Sequence, residues 1–253
     1  MDVTAHCEHL EAEGTALASL AGATASARTT DRTVTTCPDW DLAELFRHVG
    51  GLYRWSEWLV REHIGKETWR ASLPIEYPDE LDDYERWMRA GLDDALATFG
   101  AADPTARVWA WGGDQRARFW PRRMLFETVV HRRDAEITVD GAPSPIEGAV
   151  AVDGVDEFFE LLPHTARWNR AVADLRVEER WSIGFAATDT GDAWRARINA
   201  TGLWWDRAGG DTDARVEATV SDLLLWLAGR DTGRVTTTGD EAAAQRWRAA
   251  TKF

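Results

Sequence analysis

Cysteine, lysine and tyrosine are scarce in this chain of 253 residues, and a long apolar run is missing altogether. The two thiols, Cys7 and Cys37, form no C-x-x-C pair. That excludes a disulfide framework and a structural zinc knuckle as the basis of the fold. No stretch approaches the roughly 18 consecutive apolar residues of a membrane span. Residues 1–9 have neither the basic start nor the apolar core of a secretory signal, so the expected location is the cytoplasm, with no membrane partner. Positive charge is also in deficit, with 29 Lys+Arg against 43 Asp+Glu for a formal charge of -14, and both halves of the chain are acidic. A polyanion binder needs a basic face to release counterions, which argues against nucleic acid as a partner.

What is present suffices for a core. The chain is 44% hydrophobic and 28% charged, with 15 Trp, an ordinary balance for a globular protein. Its length points to two domains more readily than one. Leu10, Leu17 and Leu20 lie at helical intervals in a Pro-free segment from residue 2 to about 27, which predicts a first helix. Asp41 with Glu44 three residues on is a capping-box signature, and Leu42, Leu45, Phe46, Val49 and Leu52 continue the second helix towards Ile64. A third apolar stripe runs from Leu81 to Leu96 and is expected to close at Gly100. A fourth helix starts around Pro121, which suits a first turn, and ends before Gly141. Four helices with modest loops predict an antiparallel four-helix bundle over residues 1–145.

Beyond residue 150 the pattern changes. One further helix fits residues 151–162. Val177, Trp181, Ile183 and Phe185 then alternate with Glu178, Arg180, Ser182 and Gly184 as in a half-buried strand. The turn from Asp189 to Asp192 joins it to Trp194, Ala196 and Ile198 as a β-hairpin. Val216–Val220 and Val235–Thr238 read as strands, Ser221 as the cap of a short helix ending at Gly229, and Asp240 as the cap of the last helix. Residues 151–253 are thus expected to form a small mixed α/β domain, and the whole chain an α+β fold.

The residues with the clearest chemistry are Glu127 and His131. Four apart on one helix, they project about 40° from each other, on the side that holds Trp120, Met124 and Ala135. A carboxylate facing inward needs compensation. A metal ion would supply it, and so would an ion-pair network with Arg123. His48, at the edge of the apolar stripe of the second helix, brings a further donor. Bundles build metal sites from facing helices, and two His with one carboxylate leave zinc an open position.

The run Cys37-Pro38-Asp39-Trp40-Asp41 with Leu45 and His48, together with Arg123-Met124, Glu127, His131-Arg132 and Asp134-Ala135-Glu136, resembles the mycothiol-dependent maleylpyruvate isomerase family of DinB-like bundles. The resemblance spans most of residues 1–145, and more weakly the second half, which is similar to sterol-carrier folds. It implies His48, Glu127 and His131 as zinc ligands and mycothiol as thiol cosubstrate. It also implies thiol addition to a small-molecule electrophile, as cis–trans isomerase or as S-transferase; the expected assembly is a monomer or homodimer. Neither cysteine is then needed as nucleophile. Asp134 is expected to orient a ligand histidine from behind. Arg123, Arg234 and Arg246 are candidates to hold a substrate carboxylate. The competing expectation is a non-catalytic metal- or lipid-binding module.

Overall fold

Asp41 opens the second helix by accepting a hydrogen bond from the Glu44 N–H at 2.7 Å, while the Glu44 carboxylate accepts from the Asp41 N–H at 2.9 Å. The capping box read from the sequence is therefore complete, and the helix start is fixed by two reciprocal bonds. The computed structural model describes residues 1–175 and 180–251. It is α+β, with two units: Met1–Ala110 plus Asp114–Ser144, and Trp111–Gly113 plus Pro145–Phe253.

The first unit is a bundle of α1 (Val3–Ser26), α2 (Leu42–Arg61), α3 (Tyr84–Ala101) and α4 (Phe119–Asp140). Neighbours around it are α1 with α4, α4 with α2, α2 with α3 and α3 with α1. Side-chain pairings give the directions. Tyr53 Oη meets Thr128 Oγ1 at 2.8 Å and Trp55 packs edge-on against Trp120 at 5.0 Å, so α2 and α4 run in opposite senses. Arg54 donates to the Trp87 carbonyl at 2.7 Å and Thr98 to Glu57 Oε1 at 3.1 Å, so α2 and α3 run in the same sense. Parallel neighbours cannot share a tight turn. The chain returns through residues 62–83, a strap with single 3₁₀ turns at Arg70–Ser72 and Leu81–Asp83.

Two glycines let neighbours reach α2. A Cβ at Gly50 would collide with the Trp87 ring, and one at Gly51 would lie 3.0 Å from Arg70 Nη1 on the strap. Gly141, at φ 81°, takes the left-handed position that ends α4. Helix α3 passes through Gly100 and ends at Ala101, one residue beyond the expected stop.

In the second unit, α5 (Gly148–Thr165) and the short α6 (Arg170–Ala173) precede a five-stranded sheet. The strands are β1 (Trp181–Ala187), β2 (Ala193–Asn199), β3 (Gly202–Asp206), β4 (Ala214–Ala218) and β5 (Thr236–Gly239), in the order β3-β2-β1-β4-β5. The β1–β4 pair is parallel and the others antiparallel. Helices α7 (Val220–Leu227) and α8 (Glu241–Thr251) pack on the sheet, where Phe159, Phe185, Trp226 and Trp247 form an aromatic core.

Several expectations change here. The part of the first strand at Val177 and Glu178 lies outside the described residues. Strand β1 is buried on both faces, because Gly184 and Ala186 are small enough to be covered. Thr219, not Ser221, caps α7, accepting from the Asp222 N–H, and Val220 belongs to that helix and not to a strand. Ser221 instead accepts from the Ile146 N–H. Asp240 caps α8 through the N–H groups of Ala242 and Ala243.

Candidate metal centre

Because α2 and α4 lie side by side in opposite senses, His48, near the start of α2, comes level with His131 in the second half of α4. Glu127 sits between them. Its Oε2 is 3.5 Å from His131 Nε2 and 3.8 Å from His48 Nε2. Both separations exceed a good N–H···O bond. They match instead the spacing of about 3.3 Å between two donors bound at 2.0–2.1 Å to one tetrahedral ion. Each of the three offers one donor atom, and all lie within 4.8 Å of one another. Glu127 Oε1 is already committed, receiving Arg123 Nη2 at 2.9 Å and Nε at 3.3 Å.

Behind His131, Nδ1 meets Asp134 Oδ2 at 2.9 Å, and Asp134 is fully buried. An ionised carboxylate only accepts, so a proton belongs on Nδ1, and in the neutral imidazole Nε2 is then the nitrogen left to coordinate. Cys37 Sγ approaches the same Asp134 oxygen at 3.9 Å, which makes Cys37, His131 and Asp134 a second cluster of metal-binding residue types. There the His–Asp separation is that of a hydrogen bond closed by a proton, whereas the first cluster is spaced for an ion. Trp40 roofs the centre, its ring 4.6 Å from that of His48 and 5.6 Å from that of His131. The loop that carries it is fixed by Val34 N–H to Trp40 O and Trp40 N–H to Cys37 O, both 2.9 Å.

Electrostatics set the three groups apart. Burial would raise the Glu127 carboxyl, but the Arg123 guanidinium and the two imidazoles outweigh it and hold the group well below the usual range. Burial lowers His48, aided by the charges of His131 and Arg70 and only partly opposed by Glu127. On His131 burial acts in the same direction, yet Asp134 and Glu127 overcome it and raise its pKa. The centre thus combines an ionised carboxylate with one imidazole kept neutral near pH 7, the forms a cation requires of its ligands.

His48, Glu127, His131, Arg123 and Asp134, all singled out from the sequence, meet in the first unit. Arg234 and Arg246 lie in the second, where Arg234 is 3.8 Å from Asp222 and the Arg246 guanidinium stands over the Trp181 ring. Two neighbours of the centre escaped the sequence reading as participants. Trp40 lies within the quoted motif, so its place before α2 was the available signal. Arg70 had none, because the strap has no periodicity.

Comparison with known proteins adds the following. The profile of the mycothiol maleylpyruvate isomerase N-terminal domain matches residues 10–136, and that of the family's C-terminal domain matches residues 149–246. A crystal structure of a mutant mycothiol-dependent maleylpyruvate isomerase superposes with a TM-score of 0.62 at 12% identity, covering 94% of this chain and 93% of that one. A second structure of that enzyme gives 0.59 with the same identity and coverage. These likenesses bear on the fold. No curated protein matches the sequence. No helix among the described residues is long and apolar enough to cross a membrane.

Proposed function

We propose that this chain, which belongs to the mycothiol maleylpyruvate isomerase family, is a zinc-dependent enzyme that activates mycothiol for addition to an electron-poor small molecule. The observation that carries the reading is the convergence of His48 Nε2, Glu127 Oε2 and His131 Nε2 at 3.5–3.8 Å. Two imidazoles and a carboxylate are a donor set suited to zinc with one position left for sulfur. Bound zinc would hold the thiol as thiolate near neutral pH, because a divalent cation displaces the thiol proton.

The protein's own groups prepare that event. Asp134 holds His131 in the tautomer that presents Nε2. Arg123 fixes Glu127 through Oε1 and leaves Oε2 free. Trp40 covers both imidazoles and sheds water from one side. Arg234 and Arg246 remain proposed carboxylate ligands of the second unit. Isomerisation and S-transfer share thiol addition across a cis double bond and part afterwards. An isomerase lets the adduct rotate and expels the thiol, regenerating it, while a transferase releases the adduct. The family's name favours the first, with a maleylpyruvate-type carboxylate as substrate.

Protein purified without chelators should hold about one zinc per chain and convert maleylpyruvate only when mycothiol is present. Metal-free wild-type protein, together with a His131→Ala variant of full activity, would overturn the proposal.

A further inference from the structure

Arg70 sits in the 3₁₀ turn of the strap and is pressed against α2. Its Nη1 lies 3.0 Å from the place a Cβ on Gly51 would occupy, so it packs close against the backbone of α2 there. Gly51 follows His48 by three residues, which puts the two on one face about 60° apart. The guanidinium therefore stands about one helical turn from a proposed ligand of the metal centre. Nη1 donates to Tyr77 Oη at 2.9 Å, and Tyr77 in turn packs on Trp87 with ring centroids 5.5 Å apart, so the head group is held from behind.

Arg70 is half-buried, yet no carboxylate of the described residues lies within ion-pair distance of it. Arg123, the other cation at the centre, is spent on Glu127 with two hydrogen bonds. The charge of Arg70 is thus left available to an anionic ligand, which supplies what the protein does not. The planar fork keeps further N–H groups free after Tyr77 takes one, which suits two-point recognition of a carboxylate.

We infer that Arg70 binds a carboxylate of the electrophile that reacts at the metal centre, and so selects acidic over neutral substrates. This deepens the functional reading above and rests on it. The test compares zinc-loaded wild-type, Arg70→Gln and Arg70→Lys proteins. Calorimetric titration with succinate, an unreactive dicarboxylate, should show affinity falling about ten- to a hundredfold in Arg70→Gln, with part of the loss recovered in Arg70→Lys. With mycothiol present, KM for maleylpyruvate should rise by a similar factor while kcat changes little. Turnover of the neutral dimethyl maleate and the zinc content should stay at wild-type values. Unchanged succinate affinity and unchanged KM in zinc-loaded Arg70→Gln would overturn the assignment. If wild-type protein turns over neither electrophile with mycothiol, the functional reading falls, and the succinate titration still decides whether Arg70 is an anion site.

Discussion

On α4, Arg132, Arg133 and Glu136 face Glu13 of α1, whereas Glu127 and His131 face His48 of α2. The first group is closed. Arg132 reaches Glu13 at 3.1 Å and Glu136 at 2.8 Å, and Arg133 pairs with Glu13 and donates to the Ser144 carbonyl. The other Glu136 oxygen accepts from Ser144 N–H at 2.7 Å and Oγ at 2.8 Å. Each charge there has its opposite within hydrogen-bond reach. In the second group one carboxylate oxygen and two imidazole nitrogens point at each other across gaps too long for hydrogen bonds. The same helix thus carries a network completed by protein and, on nearly the opposite side, a set that on the proposed reading is completed by a metal ion from outside. Buried polarity becomes functional where its pairing is left unfinished.

Substitutions should separate the two sides. His131→Ala has the largest expected effect: zinc content by metal analysis should drop to near zero and thiol-dependent turnover to the uncatalysed level, with some loss of stability as well, because the fully buried Asp134 loses its imidazole partner. Arg133→Met should do the reverse. It removes a guanidinium that is only 1% exposed and leaves Glu13 with Arg132 as its remaining partner, so chemical denaturation should show a loss of about 1–3 kcal/mol with zinc binding retained. A stable Arg133→Met protein would erase the distinction drawn here. Asp134→Asn lies between, since it keeps the three ligands but weakens the hold on His131. Zinc affinity should fall about 10- to 100-fold in competition with a chromogenic chelator.

The smallest effect concerns pH. Ser144 and the nearby guanidiniums overcome the burial of Glu136 and depress its pKa. A carboxyl with a lower pKa in the folded state stabilises the fold above its unfolded value of about 4.3, and that contribution is lost as pH falls through the depressed folded value. Unfolding free energy should therefore decline with acid below about pH 5, and Glu136→Gln should flatten part of that slope by about 1 kcal/mol. An unaltered slope would mean that Glu136 is not part of the closed network.

The elements legible in the sequence were those with a local cause. The Asp41–Glu44 box, the Gly141 stop and the apolar stripes of α2 and α4 follow from neighbouring residues alone, and the i, i+4 spacing of Glu127 and His131 follows from the helix they share. What the sequence concealed depends on distant packing. Strand β3 shows no alternation because it is an edge with both faces partly open, its Trp204 exposed and its Leu203 and Trp205 half-covered. Thr219 and Ser221 are equally good caps on paper, and the choice falls to Thr219 because Ser221 is turned towards Ile146. Arg70 comes within a helical turn of His48 through the path of the strap over Gly51.

That path has a further meaning for how such a scaffold changes over time. Since α2 and α3 point the same way, the polypeptide must travel back over a helix length of about 30 Å before α3 can begin, and this obligatory return carries little of the hydrophobic interior. Exchanges along it are tolerated far more readily than exchanges within the helices. On the proposed reading, substrate preference can thus drift through residues such as Arg70 and Tyr77 while the donor atoms on α2 and α4 stay in place, so that one inherited cation-binding frame would accommodate a succession of different acids.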